Sequence, residues 1–387
     1  MKVKLTKKGV ERWQRGHPWI YAADVQEKPK GLTGGDVVQV VDAFKGWLLG
    51  HAFYSEHSKI SLRALNYDAS PVDDNFFAKR LEAALALRQT LYPGETAYRL
   101  VHGEADLLPG LVIDRYGDYL SVQLLVPGTE RRKKLIVDLL VSQLKPKGIV
   151  NRSDVNVRNL EGLTPEKGVL YGHVPEKVPY REGDIHFELD LLNGQKTGTF
   201  LDQRENHVLA RHYAKGEALD CFSYGGGFAL QLAQSATNVT AVEISEAACA
   251  QITANAAANG VSNVKAVPVN AFDFLRDAVD EGRKFDTIVL DPPSFAKNKG
   301  AIDAAVRGYK EINLRAMQLL KPGGMLITAS CTYHVDEERF EEMLDSAAAD
   351  AKRRVQIVER RGAAKDHPVL LSLRETRYLK CFVLRVL

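Results

Sequence analysis

Two short stretches carry residue types with chemical reach. VLDPPSFAKN, from Val289 to Asn298, follows the apolar run FDTIVL and puts Asp291, Pro292 and Pro293 where a strand should end. TASCTYH places Cys331 40 positions after Asp291. An ionised thiol is a nucleophile, and a carboxyl beside it can give or take a proton. The prolines fix φ and stiffen the turn. They also lack N–H donors, which leaves carbonyls free to face a ligand. A cysteine in an apolar strand is more often a small core residue. Cys331 departs from that pattern because it sits at a strand exit, among Ser330, Thr332 and His334. If the two strands are neighbours, Asp291 and Cys331 open into one cleft. His334 itself reads as a surface or strand-capping residue.

A third stretch lies upstream. Asp220, Cys221, Phe222, Ser223, Tyr224, Gly225, Gly226 and Gly227 close one strand and open a helix. Glycines there let the backbone turn sharply and approach a ligand. The spacing is not GxGxxG, which weakens a dinucleotide reading. Glu243, 23 positions after Asp220, ends the next strand with Ile244 behind it. An acid there can accept hydrogen bonds from both ribose hydroxyls. Asn270, Ala271 and Phe272 read as the end of the third strand, where an amide and a backbone N–H could meet an adenine edge. Together these strand ends favour S-adenosylmethionine over NAD.

These residues need a scaffold. From Asp184 onward, strands and helices alternate, which predicts an open, mostly parallel sheet with helices on both faces. Residues 1–66 read as short strands with turns at Gly34-Gly35, Gly46 and Gly50, a small β-barrel. A helix is expected from Asp73 to Leu91, stopped by Pro93-Gly94. The organisation expected is therefore 1–66, 67–183 and 184–387.

The net charge is +3 over 387 residues. It is uneven: residues 1–66 hold 11 Lys and Arg against 6 Asp and Glu, or +5, which leaves −2 for the rest. A basic segment of this kind suggests a polyanion contact, although a solvated face explains it equally. The four cysteines form no CxxC pair, so neither a zinc site nor a disulfide framework is expected. With no signal-like N-terminus and no long apolar run, a cytoplasmic protein without a membrane span is expected.

The motifs, taken in order, resemble those of the RlmI-like family of 23S rRNA methyltransferases. KTGTFLDQREN, Lys196 to Asn206, resembles the family's motif just ahead of the cofactor loop. RLVHGEADLLPGLVIDRYGDYL, Arg99 to Leu120, resembles its middle domain, and residues 1–66 its PUA domain, an RNA-binding barrel. The resemblance implies an α/β class I methyltransferase sheet behind a PUA barrel and a small α+β domain. It adds Phe200, Gln203 and Arg204 to the residues lining S-adenosylmethionine. Asn270 stands where the family usually has Asp, and Tyr224-Gly225 where it has Tyr-Thr.

The resemblance also makes Cys331 the nucleophile and Asp291 the acid that contacts the base. Carbon 5 of cytosine is too weak a nucleophile for a sulfonium methyl, and addition of a thiolate at carbon 6 turns it into an enamine. Asp291 would act at ring nitrogen 3, which requires a raised pKa. Pro292 and Pro293 would line the base. In enzymes that methylate exocyclic amines, an aromatic residue follows the second proline; here Ser294 does, and Phe295 comes one place late. Guanine N2 or N7 methylation and a non-catalytic rRNA-binding assembly factor remain alternatives. The expected partner is 23S rRNA or a large-subunit assembly intermediate, with Lys7, Lys8 and Arg12 among the phosphate contacts. A homodimer is left open by the resemblance.

Overall fold

The structure is a computed structural model describing residues 1–194, 197–296 and 299–387. Lys196, and Lys297 with Asn298, lie outside the described residues, so the ends of two motifs are not placed. The chain forms two compact units. One comprises Met1–Tyr180, Glu188–Leu201 and Lys365–Thr376; the other comprises Arg181–Phe187, Asp202–Ala364 and Arg377–Leu387.

The first unit opens with β1 (Lys2–Leu5), α1 (Lys7–Gln14), β2 (Trp19–Tyr21), β3 (Val25–Glu27), β4 (Val37–Asp42), β5 (Leu48–Tyr54) and β6 (Ile60–Asn66). Among the described residues these strands form a six-stranded sheet in the order β2-β6-β5-β4-β1-β3. The alternation in VVQVVD buries Val38 and Val40 against Leu5, Ile20 and Leu62. Helix α1 was not anticipated among these strands. Thr6 Oγ1 accepts from the Gly9 N–H at 3.1 Å, and Val10 and Trp13 face the core from one side of the helix. At eight residues the helical period is too short to stand out.

The unit continues with α2 (Asp74–Leu91), capped by Asp73, which accepts from the Phe76 N–H at 2.9 Å. There follow β7 (Ala97–His102), β8 (Leu111–Tyr116), β9 (Tyr119–Leu124), α3 (Pro127–Glu130), α4 (Lys133–Leu144), β10 (Gly148–Ser153), α5 (Val157–Leu160) and β11 (Glu166–Gly172). Phe77, Leu81 and Ala84 of α2 pack on Leu100, Ile113, Val122 and Ile149 of the sheet β11-β10-β9-β8-β7. β12 (Val178–Glu182) and β13 (Ile185–Leu189) carry the chain across the boundary between the units.

The second unit contains α6 (Arg204–Tyr213), β14 (Glu217–Cys221), α7 (Gly227–Leu232), β15 (Asn238–Glu243), α8 (Glu246–Ala258), β16 (Val264–Pro268) and α9 (Ala271–Asp280). It ends with β17 (Phe285–Leu290), α10 (Ile302–Leu319), β18 (Leu320–Ser330), α11 (Glu337–Asp350), β19 (Val355–Arg361) and β20 (Lys380–Val386). Among the described residues the sheet order is β16-β15-β14-β17-β18-β20-β19. Pairing is parallel except at β20, which runs antiparallel to both of its neighbours. The order reverses between β14 and β17. In open α/β sheets, ligands bind at such a switch, outside the carboxyl ends of the strands. Five loops open at that edge, after β14, β15, β16, β17 and β18.

Candidate active site

β17 and β18 are parallel neighbours, with Leu290 opposite Thr328. Asp291 and Cys331 therefore leave adjacent strands at the same edge. The loops also touch. Ser294 Oγ lies 3.1 Å from Thr332 Oγ1, and Thr332 Oγ1 lies 2.7 Å from the Tyr309 hydroxyl. Thr332 and Tyr309 are fully buried, so this hydroxyl chain ties both loops to α10.

Asp291 is oriented from the other side. Gln203 Nε2 donates to Asp291 Oδ1 at 2.7 Å, and Asn206 Nδ2 donates to Gln203 Oε1 at 2.7 Å. Arg361 Nε closes the series by donating to Asn206 Oδ1 at 2.8 Å. Gln203, Arg204 and Asn206 are all buried at the start of α6. The amide order is fixed by these partners: Gln203 must present its oxygen to Asn206, which leaves its NH₂ for the carboxylate. Phe200 belongs to the first unit and is half-buried there.

Of the four thiols, Cys221, Cys249 and Cys381 are buried, while Cys331 is partly exposed. Burial pushes Cys221 well above its ordinary value and Cys381 to about 12, which makes both poor nucleophiles. Cys331 is the accessible one. Pro292 is buried and Pro293 exposed. Phe295 is held in a ring cluster, 4.7 Å from Tyr309, 5.8 Å from Phe272 and 6.4 Å from Phe222 between centroids.

The loop after β14 is bent unusually. Phe222 and Tyr224 have φ of 67° and 47°, and Gly226 has 87°. Left-handed non-glycine residues cluster at functional sites. Glu243 holds this loop: its carboxylate accepts from the Tyr224 N–H and the Ser245 N–H, each at 3.0 Å. It remains partly exposed, and each oxygen keeps a lone pair for a further donor. Ser223 Oγ donates to the Asp220 carbonyl at 2.8 Å. A Cβ on Gly225 would meet nothing within 4 Å, whereas one on Gly227 would come within 2.5 Å of the His207 ring. Gly227 is required by that close approach, and Gly225 faces open space.

Two positions differ from the sequence expectation. Asn270 does not end a strand; β16 stops at Pro268, and Asn270 caps α9. Its Oδ1 accepts from the Phe272 N–H at 2.8 Å, so that pair satisfies itself, while Ala271 is buried. Asp220 lies fully buried beneath the loop. Among the described residues, neither of its carboxylate oxygens meets a donor. Burial pushes its pKa to about 7, against the opposing pull of the nearby Ser223 hydroxyl and then of His207. His207 stands beside it with Nδ1 2.7 Å from Glu182 Oε2. Burial alone would lower its pKa, but the carboxylates of Glu182, Asp291 and Asp220 raise it.

The cluster suits S-adenosylmethionine. A half-exposed acid at the end of β15 matches a ribose diol. Ile244, 68% exposed, and Val269, 37% exposed, offer an apolar wall for a flat ring. When ionised, the orphaned Asp220 carboxyl would offer negative charge to a sulfonium or ammonium. Among the described residues, no group of three or more His, Cys, Asp or Glu is placed to hold a metal.

Some participants were not legible beforehand. His207, Tyr309 and Arg361 act through tertiary contacts without a motif of their own, and Asn206, which closes the KTGTFLDQREN stretch, was not singled out within it. Lys380 had a faint signal, a lone lysine heading the apolar strand KCFVLRV.

The sheet order and the carboxyl-edge site define a class I methyltransferase. A model of S-adenosylmethionine-dependent methyltransferases matches residues 168–375, and a PUA-like domain matches residues 3–67. The ribosomal RNA large subunit methyltransferase I of Vibrio cholerae is 42% identical over 383 residues, covering 97% of this chain and 96% of that protein. Its namesake from Shewanella denitrificans is also 42% identical, covering 100% of this chain and 99% of that one. The crystal structure of SMU.776 complexed with SAH shares the fold at a TM-score of 0.86 and 23% identity, with both chains fully covered. The chain belongs to the S-adenosylmethionine-dependent methyltransferases and, within them, to the ribosomal RNA large subunit methyltransferase I family. Among the described residues no helix is long and apolar enough to cross a membrane.

Proposed function

We propose that this protein methylates carbon 5 of a cytosine in large-subunit (23S) rRNA, with Cys331 as the nucleophile and Asp291 holding the base. The observation that carries this reading is the Ser294–Thr332 contact, which joins the loop of Asp291 to the loop of the accessible thiol. An N-methylating enzyme has no need of that thiol. Phe295, held among three other rings, is also badly placed to stack on a flipped base.

The chemistry follows from the side chains. The base must be single-stranded or flipped out to enter the cleft. Cys331 adds through sulfur to carbon 6, and the electron pair moves onto the ring. Asp291, aimed by Gln203, gives its proton to nitrogen 3 in that step and takes it back when the adduct collapses. When bound, S-adenosylmethionine supplies the methyl group that carbon 5 receives. Loss of the carbon 5 proton to water then expels the Cys331 thiolate and restores the aromatic ring.

In this account residues 1–66 hold rRNA, 67–183 form the middle domain, and 184–387 carry the chemistry, in the cytoplasm. Lys7 and Lys8 are exposed in the first turn of α1, which has no acidic residue there. Cations at a helix N-terminus oppose its dipole, so they do little for the fold and suit a phosphate. Arg12 is less available: its Nε pairs with Asp24 at 2.9 Å and its guanidinium lies 4.9 Å from the Tyr21 ring centre.

The test is the identity of the product. Unmodified 23S rRNA is methylated in vitro, digested, and read by nucleoside mass spectrometry. 5-Methylcytidine is expected. A methylguanosine would overturn the reading, and no methylated nucleoside would point to a binding role.

A further inference from the structure

Lys380 is a buried lysine with an unusual set of partners. It opens β20 at 5% exposure, followed by the buried run Cys381–Leu384. Its Cα pairs across the sheet with Ser330, the residue before Cys331. Its Nζ donates to the carbonyl of Thr332, the residue after Cys331, at 2.7 Å. A second bond goes to the carbonyl of Tyr378, just ahead of β20, at 2.8 Å. Lys380 thus brackets Cys331 on both sides.

A buried ammonium normally needs a carboxylate. Among the described residues, the hydrogen-bond acceptors of Lys380 are two neutral carbonyls, which leaves one of its three ammonium hydrogens for another acceptor. Of the charged groups acting on it, Cys331 comes first, ahead of Asp336 and Glu337 at the head of α11.

We propose that Lys380 is the positioning residue that keeps Cys331 as a thiolate, bracing the carbonyl beyond the sulfur and supplying its counter-charge. The inference rests on Cys331 being the nucleophile. In the arming step the Cys331 S–H bond breaks, its electron pair stays on sulfur, and the proton passes to neutral Nζ. Net charge is unchanged. Expulsion of the thiolate from the methylated base restores the same ion pair. Burial lowers the Lys380 ammonium to about 8, partly offset by Cys331, Asp336 and Glu337, so the neutral amine is accessible near physiological pH. Among the described residues, the hydroxyl of Tyr309 on α10 also feels the Cys331 charge, and His334 follows Cys331 by three positions on the same loop.

The experiment is the rate of iodoacetamide alkylation at Cys331, mapped by peptide mass spectrometry from about pH 5 to 10. It compares wild type, Lys380→Gln and Lys380→Arg, with binding of S-adenosylhomocysteine as the control for folding. The wild-type inflection should fall below the free-thiol value of about 8.5. Lys380→Gln should raise it by about one unit, a roughly tenfold slower reaction at pH 7, and Lys380→Arg should keep it low. A wild-type inflection at or above the free-thiol value overturns the proposal, as does a Lys380→Gln profile that coincides with wild type. If Lys380→Gln fails to bind S-adenosylhomocysteine, the wild-type profile decides alone. Methyl transfer by Cys331→Ala separates the two claims. Transfer that survives there removes the nucleophile itself, whereas transfer abolished there with an unmoved Lys380→Gln profile removes only the role of Lys380.

Discussion

Ser294 Oγ and Thr332 Oγ1 sit 3.1 Å apart across the ends of two parallel strands. Thr332 adjoins Cys331 and Ser294 lies three residues past Asp291, so this contact sets the spacing of carboxyl and thiol. Thr332→Val removes the hydroxyl while keeping its shape. Its two side-chain hydrogen bonds, the one to Tyr309 buried, are worth about 1–3 kcal/mol of stability. The kcat for methyl transfer should fall roughly 10- to 100-fold, because displacement of a reacting group by about 1 Å costs that much. Cofactor affinity should stay constant, measured by calorimetry. A kcat within about twofold of wild type would show that the contact does not position the loops.

Gln203 aims Asp291 through one hydrogen bond of 2.7 Å. Gln203→Leu leaves the carboxylate without that donor and Asn206 Nδ2 with the Gly362 carbonyl, at 3.1 Å, in place of its shorter bond. Single-turnover methyl transfer should slow by roughly 10²-fold, in the range of a missing acid–base contribution. Gln203→Glu places a second carboxylate against Asp291 and should be worse still. If Gln203→Leu transfers at the wild-type rate, Asp291 is not positioned from α6.

Asp220 gives a prediction with a sign. Its folded pKa is raised to about 7 from an ordinary value of 3.8. The folded state therefore binds more protons than the unfolded state between those values, and stability falls as pH rises through that window. Asp220→Asn removes the buried charge. Its thermal midpoint should exceed that of wild type at about pH 8, and the difference should shrink to nothing by about pH 4. S-adenosylmethionine affinity should drop in the same variant as the negative charge disappears. Equal midpoints at about pH 8 would mean that Asp220 is not a buried, strained carboxylate.

The mostly parallel sheet was legible because strands and helices alternate with clear periods from Asp184 onward, whereas its switch point came only with the strand order. Asp291, Glu243 and Cys331 stood out because each is a polar residue closing an apolar run. What the sequence hid depends on contacts between distant segments. The Arg361–Asn206–Gln203–Asp291 series joins three segments up to 155 residues apart. Lys380 sits next to Cys331 only because β20 inserts antiparallel beside β18. Asn270 was misplaced for a local reason: an Asn after a strand reads the same whether it faces a ligand or caps the next helix.

Lys7 and Lys8 are exposed on α1 and, on the proposed function, neutralise rRNA phosphates. Reversing both to Glu should weaken RNA binding and flatten the log Kd versus log salt slope by roughly 0.7 for each phosphate no longer neutralised. Filter binding at several salt concentrations reads both effects. Methyl-group transfer to a short unstructured substrate should change less than transfer to full-length rRNA. An unchanged slope would move the RNA-binding surface to another face.

The most direct test of the central claim is tritium release. Unmodified 23S rRNA carrying tritium at cytosine carbon 5 is incubated with S-adenosylmethionine and either wild type or Cys331→Ala. The account predicts tritium in water at the rate of methyl transfer for wild type, and neither for the variant. Methyl transfer without tritium release, or release that survives in Cys331→Ala, would contradict it.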